Sequence, residues 1–435
     1  MKFNDITIKV HRFGPLEDVS FKLAPLMIFT GMSSLGKSYA NYLVYYFLST
    51  VSNGSIRSYV KERIDKNAVQ QTIIFNIDEF LTALADNVED FMRKFLGDEE
   101  LTCDVEFKSS KKNRTLTFEL KKLEIATSHE NEESDVPLPH KNFTYEFSVN
   151  GGDRKQVQEI EYAQYYFEYE LVSFILGSFI IRSVIFPPGR GAFVGENFSV
   201  KSEIGSNMNM YNNFFHDYDY GLKSRIQSKH TGDYDLSDRL LKLTSGGKLI
   251  TIEGKQFLQL NESQKIALSA GASSVKDLSP WLFYLKNHRL FWSFAYCLEE
   301  PEAHQHPSVT VQIADVIAIA MHKNDPDIFH LTTHSDYLIQ RLNQLIKLGS
   351  IHHKNPSLFA QICEERNLDK YAYIDAKDVH AYYFSKGENG KTVVETLQVT
   401  DEGIPMKSFF GVVRDLSERE DYIDTAIYKM NKSQQ

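Results

Sequence analysis

Polar and apolar residues alternate over 3–10 and again over 19–23, which predicts two strands joined by a turn at 11–15. The apolar run 26–30 predicts a buried strand. It leads into a glycine loop, and the apolar residues of 39–51 then recur at helical spacing. Paired acids and bases predict helices over 56–96. Alternating segments between 101 and 150 predict a small antiparallel sheet. The polar, proline-bearing tract 129–140 reads as an exposed loop within it. Helical spacing returns over 156–184 and ends at Pro187-Pro188-Gly189. Residues 191–240 are polar and irregular, and 248–258 predicts a hairpin. Strands and helices then alternate. Helix 276–286, strand 291–298, helix 308–322, strand 328–332 and helix 337–348 are expected, followed by strands near 372–374 and 379–384.

This pattern is α/β, and 435 residues are enough for two or three structural units. The 30 Phe and 23 Tyr supply material for a large core. A net charge of −10 excludes a uniformly basic surface, leaving at most a local basic stripe for nucleic acid. Cys103, Cys297 and Cys363 are too few and too scattered for a disulfide framework, so a reducing cytoplasm is expected. Residues 1–10 carry an acid and no apolar core of a signal peptide. The apolar stretch 171–186 is short for a bilayer and contains Arg182, so it reads as a buried helix, not a membrane span.

Gly31-Met32-Ser33-Ser34-Leu35-Gly36-Lys37-Ser38 fits G-x-x-x-x-G-K-[ST] at every fixed position, with a strand before it and a helix after it. Such a loop binds ATP. Backbone N–H groups of Ser33, Ser34 and Leu35 and of the helix start point at the phosphates. Lys37 adds charge at the β/γ oxygens, and Ser38 offers a hydroxyl to Mg²⁺. Gly31 and Gly36 let the backbone curl.

The apolar strand 291–298 runs straight into Glu299-Glu300-Pro301-Glu302. Two carboxylates at a strand end form a Walker B element. Glu299 serves the Mg²⁺ shell and Glu300 polarises the attacking water. Glu302, His304 and His306 could suggest a metal site, but two histidines at i, i+2 do not match a helical zinc pair. His334, at the end of the strand bearing Leu331-Thr332-Thr333, is a candidate partner for the γ-phosphate or the water.

The set GMSSLGKS, CLEEPEAHQHP and LTTHS resembles the ABC-class ATPases of the OLD-like group, relatives of RecF and of the SMC heads. Residues 6–23 resemble the group's first hairpin and 381–410 its closing strands, so the resemblance covers about 1–50 and 245–415. It implies an ABC-type P-loop ATPase head over 1–50 and 245–435. A large α+β insertion, 51–244, lies between Walker A and the signature region, with its small sheet at about 101–150. It also implies a signature motif, matched by Ser273 and Ser274 ahead of Walker B, although Val275 stands where relatives have glycine. Thr244-Ser245-Gly246-Gly247 has signature-like composition but precedes a hairpin and reads as a turn. His334 corresponds to the switch histidine, and 302–307 to a D-loop lying against a partner subunit.

Nuclease members of the group carry a Toprim domain with a D-x-D. After His334 this chain has only the D-x-x-D of Asp375 and Asp378, so it resembles an ATPase-only member. Such members occur in bacterial anti-phage systems such as PARIS and Septu. The resemblance therefore implies a cytoplasmic homo-oligomer, at least a dimer, that uses ATP and Mg²⁺. It would hold a separately encoded effector, such as a Toprim-type nuclease, and respond to a phage protein. The alternative is a RecF- or SMC-like repair ATPase that clamps DNA directly. A transporter ATPase subunit fits poorly, because those are compact between Walker A and signature. For DNA, the basic residues Lys108, Lys111, Lys112, Arg114, Lys121 and Lys122 are the candidate phosphate contacts or a solvated sheet edge. Arg190 is open between a phosphate or partner contact and a structural ion pair.

Overall fold

The computed structural model describes residues 6–52, 55–110, 114–125, 142–194, 210–211, 213–214, 236–252, 255–287, 293–322, 326–407 and 409–432. The chain opens with β1 (Ile6–Phe13), β2 (Leu16–Lys22) and β3 (Leu26–Gly31). Helices α1 (Lys37–Ser52) and α2 (Ser55–Arg63) follow, then β4 (Gln70–Asn76) and α3 (Ile77–Leu96). Next come β5 (Cys103–Ser109), β6 (Thr115–Ile125), β7 (Asn142–Val149), β8 (Lys155–Val157), α4 (Ile160–Leu176) and β9 (Arg182–Phe186). After α5 (Leu236–Thr244) the short strands β10 (Lys248–Ile252), β11 (Lys255–Gln259) and β12 (Lys265–Ala267) lead to α6 (Ser273–Asn287). The last part runs β13 (Phe294–Glu299), α7 (Pro307–His322), β14 (Ile328–Thr333), α8 (Asp336–Lys354) and α9 (Pro356–Arg366). It ends with β15 (Val379–Lys386), β16 (Thr392–Leu397) and α10 (Phe409–Lys432).

The central sheet has the order β16-β15-β3-β14-β13-β9, parallel throughout except for the edge hairpin β15–β16. Both faces are covered, so its inner strands are largely apolar, although β14 carries the buried His330. Met27 and Phe29 pack on one side with α1 and the β1–β2–β5 sheet. Leu26 and Ile28 pack on the other with α6, α7 and α8. Strand β14 inserts between β3 and β13, pairing Thr333 with Thr30 and Thr332 with Glu299. The glycine loop, the acidic strand end and the Thr-Thr-His segment therefore meet at one edge of the sheet. Among the described residues no helix is long and apolar enough to cross a membrane.

The structure departs from the sequence reading in four places. Residues 56–96 are not continuously helical, because the alternating segment of β4 pairs with β6. Asn76 then caps α3 by accepting from the N–H of Asp78 and Glu79, and Gly97 ends it in the left-handed region. The small sheet expected over 101–150 is split. β5 joins β1 antiparallel, whereas β6 and β7 form a four-stranded sheet with β4 and β8. The apolar stretch 171–186 is a helix only as far as Leu176. Gly177 stops it, and β9 enters the central sheet beside β13, so part of the expected insertion belongs to the head's own sheet. Residues 372–374 form no strand. The tract 129–140, along with Lys111 and Lys112, lies outside the described residues.

The end of β3 is held close to β15. Gly31 has φ of +117°, and the N–H of Met32 donates to the Phe384 carbonyl at 3.0 Å. A Cβ on Gly31 would lie 2.2 Å from that same oxygen. Gly31→Ala is expected to cost at least about 2 kcal/mol through backbone strain and this clash. The measurement is the midpoint of chemical denaturation, and an unchanged midpoint would show that the loop reshapes freely.

Candidate nucleotide site

The loop between β3 and α1 curls through three left-handed residues, Gly31, Ser34 (φ +61°) and Gly36 (φ +91°). Helix α1 begins at Lys37, so its unpaired N–H groups face the loop. The Lys37 ammonium is buried and donates to the carbonyls of Met32 at 2.6 Å and Gly31 at 3.2 Å. Burial lowers its pKa, and Glu300, Glu299 and Glu302 pull it back up.

Glu299 is 1% exposed, at the end of β13. Three side chains donate to its carboxylate: Ser38 at 2.5 Å, Asn41 at 2.5 Å and Thr332 at 3.0 Å. Ser38 and Asn41 lie one turn apart on α1, and Thr332 is the register partner of Glu299 on β14. Burial raises the Glu299 pKa above the ordinary carboxylate range. The three hydrogen bonds oppose that rise, and the Glu300 charge adds to it. The Ser38 hydroxyl and the Glu299 carboxylate are hard oxygen donors in contact, a pair that fits Mg²⁺.

Glu300 differs from its neighbour. Its side chain is 43% exposed, and its backbone is left-handed with φ of +44°. Its N–H donates to the Thr332 carbonyl at 3.0 Å, which turns the chain away from the sheet. The His334 Nε2 lies 3.5 Å from the Glu300 carboxylate. Burial, followed by the Lys37 charge, lowers the His334 pKa and so favours the neutral ring, while Glu300 and the Gly31 backbone oppose the shift.

Glu302 is half-buried and organises the segment after β14. One carboxylate oxygen accepts from the Thr333 hydroxyl at 2.6 Å, the His334 N–H at 2.8 Å and the Ser335 N–H at 3.2 Å. That oxygen is thus committed to the segment after β14, whereas the other, Oε2, is buried with no hydrogen-bond partner among the described residues. His304 lies 3.7 Å from Asp277, and His306 bonds the Ser308 hydroxyl. Among the described residues no group of three such side chains is placed to hold a metal ion.

Arg190 is structural. It is 2% exposed and donates to three carbonyls: Asp277 at 2.7 Å, Glu299 at 2.7 Å and Pro187 at 3.2 Å. The Asp277 carboxylate in turn accepts from the Gly191 N–H at 2.8 Å. Asp277 is on α6, so this clamp joins the helix that begins at Ser273 to the end of β13. The Gln305 side chain adds a second link, donating to the Ser274 carbonyl at 2.8 Å. Ser273 itself is exposed, and among the described residues no hydrogen bond joins Ser273 or Ser274 to the glycine loop of the same chain. The segment around Gly246 is a turn after α5. Asn41, Thr332 and Asp277 are site residues that sequence reasoning did not single out, and Glu302 and Gln305 were placed in a D-loop without these contacts. A polar Asn one turn after Ser38, on an otherwise apolar buried helix, was the available signal.

No protein-family model matches the chain, nor does any curated protein. Among solved structures, the chain is similar to an SMC head bound to the C-terminal winged-helix domain of ScpA. The identity is 13% and the TM-score 0.38, over 92% of this chain and 98% of that one. It is also similar to the SMC head domain from Thermotoga maritima, at 9% identity and a TM-score of 0.31, over 92% and 100% of the two chains. A third is the SMC head with an extended coiled coil from Pyrococcus furiosus, bound to the C-terminal domain of ScpA. Its identity is 12% and its TM-score 0.36, over 96% and 99% of the two chains. Likeness at these scores carries no argument about the site, which stands on its own geometry.

A carboxyl whose folded pKa is raised holds its proton in the folded state while the unfolded chain has lost it. Stability then falls as pH rises from the unfolded value through the folded one. For nucleotide-free protein, Glu299→Gln is therefore expected to gain stability relative to the parent between pH 5 and pH 8. Thermal denaturation across that range measures it. A difference that shrinks as pH rises would place the charge elsewhere.

Proposed function

We propose that the chain is an ABC-class ATPase that binds ATP with Mg²⁺ on 31–38 and completes its site with a second copy of itself. The contact between Ser38 and Glu299 carries this reading. It brings the hydroxyl that follows the phosphate-loop lysine onto the strand-end carboxylate, with Thr332 and Asn41 holding the carboxylate in place.

Lys37 then exchanges its carbonyl partners for phosphate oxygens, and loop N–H groups hold the same anion. Mg²⁺, when bound at Ser38 and Glu299, neutralises charge on the phosphates. Glu300, exposed beside the loop, accepts a proton from water as the water attacks the γ-phosphorus and ADP leaves. Neutral His334 orients that water and Glu300. Ser273 and Ser274 open α6 at an exposed position, and they would reach ATP held by the other copy. Arg190 and Gln305 transmit the state of β13 to that helix start.

The resemblance carried by GMSSLGKS, CLEEPEAHQHP and LTTHS extends the proposal. The chain acts in the cytoplasm as the sensor and scaffold of an anti-phage system, has no nuclease activity of its own, and controls a separately encoded effector such as a Toprim-type nuclease. The DNA-clamp reading is weaker. Lys108 pairs with Glu106, Arg114 donates to the Phe174 carbonyl at 2.8 Å, and Lys122 sits over the Phe143 ring. Lys108 and Lys122 also lie on different sheets.

Lys37→Ala should weaken ATP binding by at least about 100-fold, the cost of losing a buried charge partner of the phosphates. Equilibrium titration with a fluorescent ATP analogue measures this. Glu300→Gln should bind ATP normally and hydrolyse it at least about 100-fold more slowly, as loss of a general base does. Trapping by Glu299→Gln alone would exchange the two roles. A mixture of Lys37→Ala with a Ser273→Ala/Ser274→Ala double variant should recover hydrolysis that neither has alone. Persistent inactivity of a mixture that still assembles would argue against a shared site. Purification with the product of the neighbouring gene, followed by nuclease assay of each component, separates the sensor reading from a chain that cuts DNA itself.

A further inference from the structure

Helix α10 is exposed wherever its side chains are described. Every residue of 415–427 is exposed, including Leu416 at 57%, Ile423 at 56% and Ile427 at 47%. In the sequence, Val413, Leu416, Glu420, Ile423, Ile427 and Met430 follow one another at spacings of three and four. That is the a/d stripe of a left-handed coiled coil, with a single charge at one a position. A helix of 24 residues left in water with such a stripe gains its stability from a partner.

We propose that α10 pairs with the α10 of a second copy as a parallel, in-register coiled coil. Charge complementarity selects this occupant. Arg419, at a g position, is the only base within 415–427. In a parallel pair, g faces the e position five residues on in the partner and flanks the partner's next a position. Arg419 of each helix then meets both Asp424 and Glu420 of the other. An antiparallel pair sets e against e and g against g. The g residues, Val412, Arg419 and Ala426, include no acid for Arg419. The e residues, Ser417, Asp424 and Asn431, include no base for Asp424. Glu420 is costly in the seam, and its pairing with the partner's Arg419 holds the register. The surface lies outside the nucleotide site and uses none of its residues.

Cysteine cross-linking of the full chain without nucleotide tests the register. The native Cys103, Cys297 and Cys363 are buried, so background linkage is low. Ile423→Cys and Ile427→Cys should each give disulfide-linked dimers under mild oxidation. Tyr422→Cys, one position off the stripe, should give at least about tenfold less, because its Cα atoms would be too far apart to bridge. Arg419→Glu should reduce the Ile423→Cys yield, and adding Glu420→Arg with Asp424→Arg should restore it. The yields should be the same in a Lys37→Ala background, so failure of the nucleotide assignment would leave this result untouched. No dimer from Ile423→Cys, or equal dimer from Tyr422→Cys, would overturn the parallel pair. Linkage of Ile423→Cys only to an added basic helix would overturn it in favour of a different partner.

Discussion

An ionised carboxylate is expensive to bury unless it is hydrogen-bonded, and Glu299 is almost completely buried. The requirement to satisfy it explains much of the arrangement at the sheet edge. Two donors come from α1 and one from β14, so the helix must lie across the ends of β13 and β14. Because α1 is placed there, the loop leading into it from β3 has to turn sharply, through Gly31, Ser34 and Gly36. The hydrogen bonds only partly offset the burial, as the raised pKa shows. A divalent cation at the proposed Ser38–Glu299 position would favour the charged form that burial disfavours.

A second buried charge extends this organisation away from the loop. Arg190 satisfies carbonyls from the β9 turn, α6 and β13 together. Removing it would take a charged donor from three carbonyls at once, each such bond contributing about 1.5–3 kcal/mol. Glu302 does the same for the segment after β14 by collecting donors from Thr333, His334 and Ser335. The two half-exposed groups best suited to chemistry, Glu300 and His334, therefore stand on backbone whose neighbours are fixed.

What could be read from the residues depended on the range of the interaction. The glycine loop is local, and its strand-loop-helix setting was legible from one window of sequence. Placing Glu299 and His334 near it was legible too, because both follow short apolar strands of a parallel sheet. Partners distant in the chain were not. The pattern of β5 says strand but does not say that β1 is its neighbour. The segment of β9 is apolar on both faces, and periodicity alone cannot distinguish such a strand from the end of a buried helix. Arg190 was ambiguous because its partners are backbone carbonyls, which every sequence possesses. The stripe on α10 went unread because it lies beyond 381–410, the closing strands at which the motif reading stopped.

The left-handed backbone at Glu300 has an implication for how the protein can vary. A non-glycine residue there carries a conformational penalty that folding does not require. Selection for stability alone would push this position toward glycine, whereas the proton-accepting role proposed for Glu300 would retain a carboxylate. Lineages that lose the need for turnover but keep assembly would be free to drift at this position. Replacement of Glu300 is therefore an early mark of a descendant that has become a static scaffold.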